Sequence, residues 1–190
     1  MRRLDRRERL EKQVSMRAKY GVTAPSYDEL YMEEQVEKYA VALSRHGPEG
    51  PILDAGCGTG LLLEYLAATG LLDRISMYVG LDLTPEMLVR ASRRLRALRV
   101  LGDLVEGDLE YLPFRSGAFN VSYSFTVVDL LSRPWRGVAE LCRVSRRGAV
   151  YTLLKKAQKL RRSQLRARYV GETDKDVILY AECGGRKGLG

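Results

Sequence analysis

One histidine and three cysteines are all the imidazole and thiol groups this chain carries. The cysteines, Cys57, Cys142 and Cys183, are far apart and form no CxxC pair, so neither a disulfide framework nor a cysteine zinc site is expected. His46 stands beside Gly47 and Pro48 in a turn signal and reads as a solvated loop residue rather than a ligand or base. That leaves little for a transition-metal site. Amides are scarce too, with one Asn and four Gln. Together with abundant Arg and Glu, this fits a thermophile's composition. No apolar run approaches the roughly 18 residues that would span a bilayer. The opening MRRLDRRERLEK lacks the apolar centre of a signal peptide, so a cytoplasmic protein with no membrane partner is expected.

What is present is 190 residues, enough for one domain with a sizeable core, and a net charge of +8. The basic excess invites acidic partners such as RNA. An ion-paired, solvated surface is the plain alternative.

Residues 1–45 read as helical: a charged first stretch that could be a loose arm, then PSYDEL, where Ser26 and Glu29 have the spacing of a capping box. Met32, Val36, Tyr39 and Leu43 then recur at helical spacing as one apolar face. From residue 51 strand and helix signals alternate. PILDA, SMYVGLDL, DLVEGD, FNVSYS and GAVYTLL read as strands. GLLLEYLAA, the segment opened by Thr84-Pro85, and the segment marked by Trp135, Val138, Leu141 and Cys142 read as helices. KKAQKLRRSQLR reads as a basic helix, and ARYVGETDKDVILYAE as a hairpin. The pattern predicts an α/β, Rossmann-like, seven-stranded and mostly parallel sheet with a C-terminal antiparallel hairpin and helices on both faces. The expected division is a helical arm and entry helix over 1–47, the main domain over 48–184 and a tail over 185–190.

The most informative stretch is PILDAGCGTG, with glycine at 56, 58 and 60. It falls after the first strand, where doubly wound sheets bind ligands. Leucine at position 61 breaks the G-x-G-x-x-G spacing of a nicotinamide site, and no Gly-Lys-Ser/Thr follows to make a P-loop. Asp54, so close to the loop, is awkward for a diphosphate and suits a ligand carrying an ammonium group. Asp82 ends the second strand, where a carboxylate can grip both hydroxyls of a ribose. Asp108 ends the third, where it could accept from the exocyclic amine of an adenine, with Leu109 on the ring. Singly, Asp82 and Asp108 are also ordinary turn residues; three acids at successive strand ends beside a glycine loop make a site.

LDAGCGTG, VGLDLTPEML, EGDLEYLPF and AELCRVSRRGAVYTLL resemble the class I S-adenosylmethionine-dependent methyltransferases. Among these they look most like the group that includes the ubiquinone/menaquinone-biosynthesis enzymes. The resemblance covers about residues 50–155. It implies S-adenosyl-L-methionine as cofactor, with Asp54 and Gly56, Cys57, Gly58 and Gly60 at the methionine end, Asp82 and Leu83 at the ribose, and Asp108 and Leu109 at the adenine, with Met87 in the cofactor-binding set. Asn120 departs from the usual Asp, and an SRRG turn replaces lysine-proline-glycine-glycine. YDELY-x-EEQ-x-x-KY and Leu154-Lys155-Lys156 are similar to small archaeal methyltransferases. Some of these work with a small zinc-binding activator protein and methylate RNA or a translation factor. GDLVEGDLEYLPFRSGAFN is similar to rRNA guanine-N7 methyltransferases of that partnered group.

Methyl transfer from a sulfonium needs alignment more than a strong base, which suits a chain this poor in histidine. Ser124 and Phe125 are expected at the pocket edge. Asp129 could orient or deprotonate a substrate, or simply serve as a cap or turn residue. Tyr20, Tyr27 and Tyr31 either close over the cofactor or pack in the core. No Asn/Asp-Pro-Pro-Tyr occurs, which in similar enzymes grips a planar amide or exocyclic amine. Lys155, Lys156, Lys159, Arg161 and Arg162, with Arg166 and Arg168, form an acid-free stripe over 155–168 that would neutralise phosphates, or a solvated helix face. Few aromatics can be assigned to the surface, so base stacking on a single strand is not expected. Three functions stand: an RNA methyltransferase with or without an activator subunit, a methyltransferase of a small metabolite such as a quinone, and a non-catalytic cofactor-binding relative. The short chain, without an inserted lid, disfavours the second.

Overall fold

A computed structural model of the chain describes residues 6–156 and 167–183. Its centre is one sheet of β1 (Gly50–Ala55), β2 (Ile75–Asp82), β3 (Gly102–Glu106), β4 (Phe119–Ser124), β5 (Ser145–Leu154), β6 (Ala167–Glu172) and β7 (Asp176–Glu182), in the order β3-β2-β1-β4-β5-β7-β6. The first five strands pair in parallel, and β7 runs antiparallel to both β5 and β6. The sheet expected from the alternating signals is thus present, including the closing hairpin. The chain steps outward from β1 to β2 and β3 and then returns to β4 on β1's other side, so the carboxyl ends of β1 and β4 open a cleft at the switch point.

Strand periodicity divides the core. Ile52 and Tyr78 face one layer while their neighbours Leu53 and Val79 face the other, all four buried. The first layer is closed by α2 (Tyr27–Arg45) and α3 (Leu61–Ala68), and α4 (Pro85–Ala97) packs Leu95, with Leu98 just past its end, against it. The second is closed by α5 (Pro134–Val144) through Val138, Leu141 and Val144.

Several expectations are corrected. The stretch expected to form a loose arm is, over Arg6–Thr23, helix α1, anchored across the cleft. Ser26 does not cap α2: a 3-10 turn over Ala24–Ser26 leads in, leaving Ser26 at φ −110 and ψ 6 rather than extended, and its hydroxyl donates back to Thr23 O at 3.5 Å. The buried face of α2 is Gln35, Lys38, Tyr39, Ala42 and Leu43, while Met32 and Val36 are exposed. Lys38 can turn inward because Glu34 and Asp176 receive its charge, at 2.6 and 2.9 Å. The SRRG segment is no turn; β5 begins at Ser145 directly from the end of α5, with Arg146 and Arg147 exposed. Trp135 points outward on α5. His46 is half-buried and stacked on Tyr180 at 3.9 Å, and burial pushes its pKa down. Finally, Cys142 and Cys183 form a disulfide, with Cα atoms 5.0 Å apart. Their separation of 41 residues hides the contact in the sequence, and pairing of β7 with β5 creates it.

Candidate active site

The glycine loop is held down by its own backbone. Gly56 and Cys57 donate to Leu81 O at 2.6 and 3.0 Å, which ties the end of β1 to the end of β2. Gly56, at φ +83, has no room for a β-carbon because Val127 from the loop after β4 packs into that space. Gly60, at φ +85, starts α3 with Ala91 of α4 against it. Those two glycines are therefore required by packing and backbone shape. Gly58, also left-handed, has only Tyr27 Cε1 near it, at 4.0 Å, and faces open space.

Asp82 closes the loop from the other side. Its Oδ2 accepts from Gly58 N at 2.9 Å and its Oδ1 from Thr84 N at 2.8 Å. Burial pushes its pKa up against these hydrogen bonds. Asp108 starts a 3-10 turn, accepting from Glu110 N at 2.8 Å, and its Oδ2 receives Gln13 Nε2 of α1 at 2.7 Å. Asp54 is sealed behind the loop, accepts from Tyr78 Oη at 2.7 Å, and is raised by burial to about 7.

One cleft collects most of the expected residues: Gly56, Gly58, Asp82, Leu83, Met87, Asp108, Leu109 and Phe125 all line it, with Leu81, Leu130 and Leu131 completing an apolar slot. Lys12, Gln13, Met16 and Tyr20 of α1 roof it, together with Tyr27. Asp54 and Cys57 line a smaller adjoining cavity behind the glycine loop. Tyr31 lines neither; it packs on Tyr27 at 4.8 Å.

Other expected residues lie elsewhere. Gly60 serves helix packing, and Ser124, fully buried, donates to Ala55 O at 2.8 Å, bracing β4 against β1. Asp129 is not among the cleft-lining residues; its Oδ2 accepts from Leu154 N at 2.6 Å, which anchors the end of β5. Of the basic stripe, Lys155 pairs with Glu172 at 3.2 Å, Arg168 pairs with Glu182 at 2.8 Å, and Lys156 is exposed in a turn. Lys159, Arg161, Arg162 and Arg166 fall outside the described residues.

The donor set fits a nucleoside with a cationic end. It comprises an apolar slot ending in a carboxylate, a second carboxylate beside an open glycine backbone, and a third behind the loop. Asp108 with Leu109, Asp82 with Leu83, and Asp54 with Gly56–Gly58 are the groups that the two cavities offer to such a ligand.

Comparison with known proteins supplies the family and the fold. Residues 53–153 match the family described as "Methyltransferase domain", a span of more than half of the 190 residues. The chain belongs to this family. Its fold is that of class I S-adenosylmethionine-dependent methyltransferases. It is 36% identical over 99 residues to malonyl-[acyl-carrier protein] O-methyltransferase of Pectobacterium atrosepticum, covering 52% of this chain and 36% of that protein. It is 37% identical over 81 residues to 18S rRNA (guanine-N(7))-methyltransferase of Bos taurus, covering 42% of this chain and 26% of that protein. The chain thus spans well under half the length of either relative. Among solved structures, magnesium protoporphyrin IX methyltransferase from Synechocystis with bound S-adenosylmethionine shares the fold, with a TM-score of 0.69 at 16% identity over 97% of this chain and 100% of that one. A chain from the complex between the Haloferax volcanii Trm112 methyltransferase activator and a methyltransferase matches with a TM-score of 0.59 at 25% identity, over 70% of this chain and 59% of that one.

Two groups at the site have no individual role in the sequence reading, although Tyr20 of α1 and the motif that holds Gln35 and Lys38 stand in it. The first is the α1 roof, whose Lys12 and Gln13 sit in a stretch dominated by charge. The second is the set of Gln35, Lys38 and Thr126. Gln35 Nε2 and Lys38 Nζ both donate to Thr126 Oγ1, at 3.1 and 2.8 Å. Thr126 sits at φ +63, a conformation uncommon for a residue with a side chain. Two signals were present: Gln35 and Lys38 stand in the YDELY-x-EEQ-x-x-KY motif, and Gln35, Lys38, Tyr39 and Ala42 follow one helical face, which a count of apolar residues passes over because two of them are polar.

Proposed function

We propose that this chain methylates an RNA acceptor, tRNA or rRNA, or another component of translation. The carrying observation is the rim where the cleft ends at Leu131 and Ser132. There Arg136 lies over the Tyr111 ring at 4.1 Å, Arg133 donates to Tyr111 Oη at 2.6 Å, and Trp135 is 43% exposed one residue away. Exposed aromatics interleaved with arginine are what an unstacked base needs, a stacking face beside phosphate-binding cations. They add two exposed aromatics, Tyr111 and Trp135, to a surface on which few could be assigned from the sequence. The net charge of +8 and the rRNA methyltransferase relative support the same reading.

When bound, the cofactor supplies an activated methyl group on a sulfonium. The chain's part is alignment. The Asp82–Gly58 clamp and the apolar slot would fix the nucleoside, while Phe125, Thr126 and Val127 form the wall against which an acceptor is held. The cleft has no histidine in its lining, which agrees with a reaction governed by proximity.

A small-molecule acceptor is the second reading, and one observation favours it: α1 roofs the cleft and would shield an enclosed substrate from water. A small activator subunit is proposed as partner, from the Trm112 complex among similar structures. Scarce amides and an intramolecular disulfide fit the cytoplasm of a thermophile. The test is methyl transfer from tritiated cofactor into fractionated RNA, protein and metabolites, with and without activator. Label in RNA is expected. Label confined to metabolites would establish the second reading instead.

A further inference from the structure

Gln35 is 3% exposed, yet among the described residues its Oε1 has no hydrogen-bond partner. Its Nε2 is committed to Thr126 Oγ1 at 3.1 Å. A buried carbonyl oxygen left without a donor is costly, and its presence calls for an explanation. The small cavity that Gln35 lines supplies one, because Asp54 and Thr59 line it as well. Thr59 has given its hydroxyl proton to Asp28, at 2.5 Å, so toward any other group it can only accept. No side chain lining the cavity is cationic. Lys38 lies next to Thr126 rather than in the cavity, and Glu34 and Asp176 compensate its charge.

We propose that Gln35 is a cofactor-binding residue, its Oε1 taking one N–H of the α-ammonium at the methionine end, beside Asp54 and Thr59. An ammonium group carries three donors in a compact tetrahedron and meets an amide oxygen, a carboxylate and a hydroxyl oxygen in this cavity. The arrangement commits α2, a helix outside the matched family span, to recognition of the amino-acid end. This rests on the reading that the nucleoside occupies the main cleft with its amino-acid end behind the glycine loop.

The test is calorimetry on the full chain with two ligands: S-adenosylhomocysteine, and 5′-methylthioadenosine, the same nucleoside without the amino-acid end. For Gln35→Leu, affinity for S-adenosylhomocysteine is expected to fall at least about tenfold, while affinity for methylthioadenosine stays within about twofold. Equal loss for both ligands would overturn the proposal, by showing that Gln35 acts only through Thr126 and its loop. No loss for either would show that the oxygen meets a buried water only. A second measurement uses the wild-type protein and needs no variant to fold: S-adenosylhomocysteine stripped of its amino group must bind at least about tenfold more weakly than the parent. Equal binding there also overturns the proposal. If wild-type protein binds methylthioadenosine and S-adenosylhomocysteine equally well, the placement of the amino-acid end fails. If it binds neither, the cleft assignment itself fails.

Discussion

Asp54 shows how far one residue's chemistry is set by its surroundings. An aspartate in a turn is ionised at neutral pH, but burial lifts this one to about 7, the Tyr78 hydroxyl partly offsetting the effect and the Asp82 charge adding to it. The other titratable groups facing it, Tyr39, Tyr78 and Cys57, are raised by burial and stay neutral. Below pH 7 the ligand-free protein therefore holds a proton on Asp54, and a cation bound beside it must expel that proton. Affinity for S-adenosylhomocysteine should rise by up to about tenfold per pH unit as pH climbs towards 7, then level off. Calorimetry in buffers of different ionisation enthalpy would read the released proton directly. Asp54→Asn should bind more weakly and flatten the profile, and an unchanged slope in that variant would place the titrating group elsewhere. The sequence placed an acid, Asp54, beside the glycine loop. Its proton was not legible, because that depends on Tyr78 and Asp82, brought close only by the pairing of β1 with β2.

At the scale of the element, α1 is the least legible part of the site and the part that most changes how the cleft is read. Its charged sequence gives no amphipathic stripe strong enough to announce a docked helix, yet Lys12 donates to Leu131 O at 2.7 Å and Arg17 to Leu83 O at 2.9 Å, on opposite walls. Between them Gln13 donates to Asp108 Oδ2 at 2.7 Å. A carboxamide N–H donor there makes the contact that an adenine amine would make on the same carboxylate. If Asp108 holds the adenine, Gln13 competes for it, and Gln13→Ala should tighten S-adenosylhomocysteine binding about 2- to 10-fold, the worth of one net hydrogen bond. Weaker binding would show instead that α1 clasps the nucleoside. Helix α2 makes the same point from the other side: apolar periodicity found Tyr39 and Leu43 but took exposed Met32 and Val36 in place of the buried Gln35 and Lys38, whose partners, Thr126 and Asp176, come from distant segments.

For the whole molecule, legibility follows the range of the interaction. The strand order rests on alternating local signals and right-handed crossovers, and those are written in every twenty-residue window. Glycine spacing and strand-end acids are local as well, so the cleft was largely readable. The tie between Cys142 and Cys183 was not, since its 41-residue separation has meaning only once β7 lies against β5. That tie fastens the last strand described to the helix covering the second core layer. Closing a loop of this size restricts the unfolded chain by up to about 4 kcal/mol in the chain-entropy account, with about 2–4 kcal/mol usual. For a chain of this length the cost of losing it corresponds to a fall in Tm of roughly 5–15 °C. Replacing Cys142 and Cys183 by Ala and Ser, or adding a reductant, should each produce that fall in a thermal melt. S-adenosylhomocysteine affinity at 25 °C should be unaffected, because neither cysteine lines the cleft or the cavity behind the glycine loop. A drop in affinity without a drop in Tm would mean that the disulfide shapes the site rather than holding the sheet to α5.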